Sequence, residues 1–400
     1  MAELAKKLHF LKNGTEQTAK IYTTTNEVGT NYISVKVDGT TGYVPINDIS
    51  HGNSTIGRVT KGGSTYAILS RFAQILSYVG TATDLSEARG GLAATSVGNY
   101  ALFGGGWIDI GYPEYKNTVD AYDTSLTRTI PTALSEARDG LAATSVGNYA
   151  LFGGGGNRVY ADGYMYFVGT ATVDAYDTSL TRTIPTPLSE ARSTLAATTV
   201  GNYALFGGGD DNDGSYIATV DAYDTSLTRT IPTPLSEARS TLAATTVGNY
   251  ALFADGYDTG MPKNIVDAYD TSLTRTIPTP LSEGRSELAA TTVGDYALFG
   301  GGGNMGTGIA TVDAYDTSLT RTIPTPLSEA RYGLSATSVG DYALFGGSGS
   351  TVDAYDTSLT RTIPTPLSEA RYGLSATSVG ICALFGGGGS GYTVDAYAVS

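Results

Sequence analysis

The 400 residues contain one cysteine, Cys382, which excludes a disulfide within the chain. Histidine is almost as scarce. His9 and His51 are the only two, so everything beyond residue 78 must work without imidazole, and a Ser-His-Asp triad is excluded there. No apolar run approaches the roughly 20 residues of a membrane span, so no membrane insertion is expected. The stretch Met1 to Leu11 lacks the apolar core and small-residue cleavage site of a secretion signal, so the chain is expected to be made in a cytosol and not exported by the general route. Basic residues are few, with Lys+Arg at 24 against 38 acids and a net charge of −14. Residues 1–78 carry +3, which leaves −17 on the remainder. Such an acidic body repels phosphate backbones, and nucleic acid is not an expected ligand.

Glycine (52) and tyrosine (28) are abundant instead, which favours short strands joined by tight turns over long helices. The segment Leu-Ser-Glu-Ala-Arg starts at Leu85, Leu134, Leu188, Leu235, Leu327 and Leu367, and Leu281 starts a Leu-Ser-Glu-Gly-Arg variant. The spacings of 49, 54, 47, 46, 46 and 40 match the length of a four-stranded propeller blade. In the copy from Leu188, residues 195–200 read as a first strand and Gly201-Asn202 as a hairpin turn. Residues 203–206 read as a second strand and 219–223 as a third. Asp224 to Ser226 read as a turn, and Leu227 to Thr233 as a fourth strand ended by Pro234.

A blade cannot bury both faces alone, and a ring of blades leaves no open end. The last copy stops after its third strand, and Tyr78 to Asp84 aligns without gaps to Thr127–Ala133. The expected architecture is therefore all-β: a seven-bladed propeller over 78–400, its last blade closed by a strand within 78–84, and a small β-rich domain over 1–75.

The glycine doublets (Gly104-Gly105, Gly207-Gly208, Gly300-Gly301) and the later Tyr-Asp pairs (Tyr122-Asp123, Tyr223-Asp224) resemble the kelch family over about 320 residues. The resemblance implies a kelch-like propeller. It departs from the family where a Trp is usual. Thr129, Thr183 and Thr230 stand there, so blade interfaces packed by smaller groups are expected. Blade 4 also lacks the doublet, reading Phe253-Ala254-Asp255. Kelch-fold copper oxidases use histidine and a cysteine-linked tyrosine, and that chemistry is absent here.

Fourteen residues from Val-Asp-Ala-Tyr to Ile-Pro-Thr recur unchanged six times, from Val119, Val173, Val220, Val266, Val312 and Val352. Two places vary instead: the loop between strands two and three, and the pair after the Arg, such as Gly90-Gly91, Ser193-Thr194 or Tyr332-Gly333. Strand alternation puts both on one side of the disc, where scaffolds carry function. The variable places are rich in Tyr, Gly, Asp, Asn and Ser, a composition that gives rigid aromatic contacts and adaptable polar groups. Aromatic faces beside carboxylates also suit sugar rings. Trp107, Tyr112, Tyr115, Tyr160, Tyr164, Tyr166, Tyr216, Tyr257, Tyr332, Tyr372 and Tyr392 are the candidate ligand-binding residues. The bland alternative is that these loops drift for want of constraint.

No catalytic residue, cofactor or metal is implied. The seven Glu/Arg pairs, such as Glu87/Arg89, read as ion pairs bridging adjacent blades. Cys382 replaces a strand tyrosine and reads as a small buried apolar residue. Asp210 to Gly214 lacks the alternating ligands and distal Glu of a calcium loop.

The first 75 residues resemble N-terminal modules of tail or baseplate proteins from phages of Gram-positive bacteria. That resemblance implies attachment to a larger particle or self-association. Together these readings lead to a non-enzymatic receptor-binding protein, or adhesin, of a virion tail made in the host cytoplasm. Its expected partners are a bacterial cell-surface glycan or protein and other tail proteins. Homo-oligomerisation is compatible with this reading. An intracellular kelch-type protein-interaction scaffold is the alternative, and a glycan-active enzyme a third.

Overall fold

The computed structural model describes residues 74–400 apart from 162–163 and the side chains of 160–165; of residues 1–73 it describes strand backbones alone. Chain contacts divide into two units, Met1–Ile75 and Leu76–Ser400. In the first, Thr15–Lys20, Lys7–Lys12, Ser64–Ser70 and Ser54–Lys61 form a four-stranded sheet in that order. Tyr22–Thr25, Asn31–Val37 and Thr40–Pro45 form a three-stranded one.

The second unit is a seven-bladed β-propeller. Each blade is a four-stranded antiparallel meander, as in blade 3: Ala196–Val200, Tyr203–Gly207, Val220–Asp224 and Arg229–Thr230. The last blade joins Ser375–Val379, Cys382–Gly386 and Val394–Val399 to Leu76–Thr81, so one strand from the front of the unit closes the ring. That strand begins two residues before Tyr78 and slips register between Ala396 and Tyr397.

The fourth strand is shorter than the seven residues its composition predicts. Leu227 is not in it; with φ at 62° it completes the preceding turn. Asp224 explains why, since its Oδ1 accepts from the backbone N–H groups of Ser226 and Thr228 and winds the chain tightly.

The first strands line a central channel. Their burial alternates with period two: Ala93, Thr95 and Val97 are buried and Ala94 and Ser96 half-buried, and Ala94, Thr95 and Ser96 line the channel, where only small side chains fit. Blades 3, 4 and 5 carry Thr where others have Ser. Thr199 Oγ1 donates to Ser145 O at 2.6 Å, and Thr246 and Thr292 repeat this grip on the preceding blade.

The blade interfaces are not packed by smaller groups. Six of the seven second-strand phenylalanines seat on the glycine of the preceding blade, so that a Cβ on Gly104 would lie 2.9 Å from the Phe152 ring, and Phe299 packs with Ala254 in that place. Phe152 also meets Tyr176 edge-to-face with centroids 6.0 Å apart. Burying each such phenyl contributes roughly 2 kcal/mol. Glycine in one blade makes room for aromatics in the next, so the Trp is not needed. Thr129 instead lies exposed on the outer strand. Cys382 is buried in one of these clusters.

The ion pairs also differ from the Glu/Arg expectation. Arg89, Arg138, Arg192, Arg239, Arg285, Arg331 and Arg371 bind the third-strand aspartate of their own blade: Asp120, Asp174, Asp221, Asp267, Asp313, Asp353 and Asp395. The same aspartate accepts from Ser N–H and Oγ of the Leu-Ser-Glu segment, as Asp120 does from Ser86. That segment meanwhile hydrogen-bonds back to the previous blade, as in Leu134 N to Asn117 O at 2.7 Å. The bridge between blades is real, but its buried anion is Asp; of the Glu partners, Glu190 and Glu369 come within 3.7 and 4.0 Å of Arg192 and Arg371. A carboxylate on the third strand faces inward, whereas the Glu side chains lie at the surface.

Candidate functional site

Both variable places emerge on one face and are hydrogen-bonded to each other. Gly90 N donates to Trp107 O at 2.9 Å, and Trp107 N to Gly90 O at 2.8 Å. Asp139 pairs likewise with Gly156, Ser193 with Asp210, Ser240 with Tyr257, and Ser286 with Gly303. The next residue in each copy takes left-handed φ: Gly91, Gly140, Thr194, Thr241, Glu287, Gly333 and Gly373. These residues ring the channel mouth. Thr241 N reaches Thr194 O, Glu287 N reaches Thr241 O, and Gly333 N reaches Glu287 O. Thr194 and Thr241 are β-branched, and φ near 50° is a strained conformation for them, held only because the ring over-determines it.

The opposite face is uniform for a packing reason. A Cβ on Gly98 would lie 3.0 Å from Thr178 of the next blade, and Gly147 meets Thr225 in the same way. These turns lock neighbouring blades, so their constancy follows from assembly and carries no record of ligand selection. The case for the variable face rests on its own chemistry.

Four loops read as irregular contain extra hairpins. Trp107–Asp109 pairs with Pro113–Tyr115, Gly156–Ala161 with Tyr164–Gly169, Tyr257–Asp258 with Met261–Pro262, and Gly303–Asn304 with Thr307–Gly308. Trp107 and Tyr115 are cross-strand partners, and the Trp107 ring would touch a Cβ placed on Gly91 at 3.1 Å. Burial, with Asp139 nearby, raises the Tyr115 hydroxyl. Burial also pushes the Asp139 carboxyl up to about 6, with Arg158 partly opposing. Tyr112 lies exposed close to the tip of this hairpin. In blade 2, Tyr160 and Tyr164 are hairpin strand residues whose side chains lie outside the described residues, and Tyr166 is exposed.

Between blades 3 and 4, Tyr216 meets Tyr257 edge-on with centroids 6.4 Å apart. Lys263 sits beside them, 3.1 Å from Asp258 and 3.3 Å from Glu237. Tyr332, Tyr372 and Tyr392 are exposed on blades 6 and 7. The nine candidate residues whose side chains are described thus form separate patches around the mouth. None of them lines the central cavity of about 300 Å³, whose walls are Ala, Ser and Thr of the first strands.

The Asp210 to Gly214 loop spends its acceptors on the chain itself. Asp211 Oδ1 takes the N–H groups of Asp213 and Ser215, and Asp210 Oδ1 takes Ser193 Oγ at 3.2 Å. Among the described residues no group of three or more His, Cys, Asp or Glu side chains is placed to hold a metal ion.

Asp255 is the residue that sequence reasoning passed over. It fills a glycine slot of blade 4 with φ at 62° and is fully buried. Its carboxylate accepts from Arg285 N at 3.0 and 2.9 Å and from Gly256 N at 2.8 Å. Burial nevertheless pushes it up to about 8, with Arg285 opposing. The signal was an Asp in place of the doublet's second glycine.

No family model matches the chain, and no curated protein matches it. Among solved structures it is similar to one titled "Structure of YjhT", with a TM-score of 0.54 and 11% identity over 71% of this chain and 95% of that one. That likeness is one of fold.

Proposed function

We propose that this chain is a non-enzymatic recognition protein whose variable face binds a bacterial cell-surface ligand, as the receptor-binding protein of a phage or phage-like particle. One observation carries the binding-face reading: in blades 1 to 5 the variable loop is tied by backbone hydrogen bonds to the variable pair beside the channel mouth, where Thr194, Thr241 and Glu287 hold left-handed φ. A rigid disc thus presents tyrosines and a tryptophan with little ordering cost on binding. The opposite face, occupied in locking blade to blade, serves as scaffold. Residues 1–75 attach the disc to other tail or baseplate proteins, in line with their opposite charge and their resemblance to such modules.

Binding of the fluorescently labelled chain to bacterial cells tests this. Trp107→Ala with Tyr257→Ala lowers cell binding tenfold or more, and Asn202→Asp on the opposite face leaves it unchanged. A face that serves an intracellular scaffold would bind no cells and no printed glycan. Release of product from a bound glycan would show an enzyme instead.

A further inference from the structure

The chain between the second and third strands has very different lengths around the ring. It spans residues 154–172 in blade 2 but only 347–351 in blade 6 and 387–393 in blade 7. Blades 6 and 7 are neighbours, so the wall of loops has a gap there. Three strongly exposed aromatics stand in it: Tyr332 at 42%, Tyr372 at 64% and Tyr392 at 51% of full exposure. Their backbones are fixed. Tyr332 packs beside Gly303 of blade 5, 3.4 Å from where its Cβ would be. Tyr372 precedes Gly373, whose carbonyl accepts from Gly91 N at 2.9 Å, and Tyr392 O accepts from Leu85 N at 2.7 Å.

The charge around them has one sign. Glu287 lies beside Gly333, its Oε2 3.9 Å from the position of a Cβ there, and Glu369 Oε1 lies 3.7 Å from the corresponding point on Gly391. Glu329 accepts from Thr351 at 3.1 Å. Of the arginines of these two blades, Arg331 and Arg361 are committed to buried Asp353, and Arg371, bound to Asp395, also lies 4.0 Å from Glu369, so among the described residues Glu287 and Glu329 are the carboxylates without an arginine partner here.

We propose that blades 6 and 7 form a subsite for an uncharged saccharide chain. The inference rests on the recognition reading above and names its ligand class. Tyrosine rings offer flat apolar faces to the C–H side of sugar rings. The carboxylates accept from sugar hydroxyls and repel uronate, sialate or phosphate groups. The gap leaves room for a chain to pass across the rim.

Saturation-transfer NMR with the full chain tests this, using hexamers of glucose, N-acetylglucosamine, mannose and xylose against hexagalacturonate at millimolar concentration. At least one neutral hexamer binds and the uronate does not. Tyr372→Ala and Tyr392→Ala each weaken binding roughly three- to tenfold, with Tyr372→Phe retaining it. An unchanged melting temperature shows that the variants are folded. Preference for hexagalacturonate, or no neutral hexamer bound, overturns the proposal. So does binding indifferent to both alanine changes, which leaves the recognition face standing if cells are still bound. A parent chain that binds neither cells nor any of the hexamers would remove both readings.

Discussion

Arg89 Nη2 donates to Asp120 Oδ2 at 2.6 Å, and both side chains are fully buried. Six other blades repeat the pair, which joins the segment arriving from one blade to the third strand of its own. Nε and Nη1 of Arg89 are buried without a hydrogen-bond partner, so the guanidinium is only partly compensated. Breaking such a pair costs more than replacing it. Arg89→Met alone should destabilise the propeller by about 3–5 kcal/mol in urea denaturation. Adding Asp120→Leu should restore at least half of that. A double variant no better than the single would show that the pair is favourable in itself.

Asp255 should make stability depend on pH. An unfolded aspartate titrates near ~4, whereas the folded one holds its proton up to about 8. Between those values folding takes up a proton, so this group's contribution declines as pH rises and is constant above about 8. Asp255→Gly, the residue of the other doublets, removes both the buried charge and the strained φ. The variant should gain on the parent, and its advantage should be larger at pH 9 than at pH 5, by on the order of a few kcal/mol. Equal advantages at the two pH values would count against burial as the cause.

Closure depends on Leu76–Thr81, and Gly80 in it has φ at 101° with nothing near its Cβ position. Conformation alone therefore demands glycine there. Gly80→Pro, with φ locked negative, should open the ring and expose residues 74–82 to protease. A ring that stays resistant to cleavage would mean that blade 7 holds without this strand.

The blade 2 hairpin pairs chiefly with itself, from Gly156↔Gly169 to Ala161↔Tyr164. Replacing residues 157–168 by Ser-Gly-Ser, the short linker of blade 6, should leave the melting temperature within a few degrees. Ligand binding should change while the fold does not. A drop of ten degrees or more would make the hairpin part of the framework.

Much of this was legible because seven copies repeat one pattern. Period, strand order and the shared blade follow from alignment of the chain with itself. Strand length was less legible: Leu227 looks like a strand residue, but the Asp224 side chain bends the backbone there. The partner of Arg89 was hidden for a related reason. Glu87 is near in sequence, yet it stays at the surface and pairs with Lys116 while Arg89 is buried, and Asp120 arrives only when the third strand folds against the second.

The sequence by itself determined the seven-fold frame and the side from which its variable segments leave, because strand alternation and a repeat length are local properties. The tertiary structure decided which aromatics meet, such as Tyr216 with Tyr257, and which stand apart, such as Tyr372. It also placed a carboxylate in the fully buried slot at Asp255. Those outcomes depend on contacts between copies, and a chain of near-identical copies does not reveal from sequence where its few differences come together.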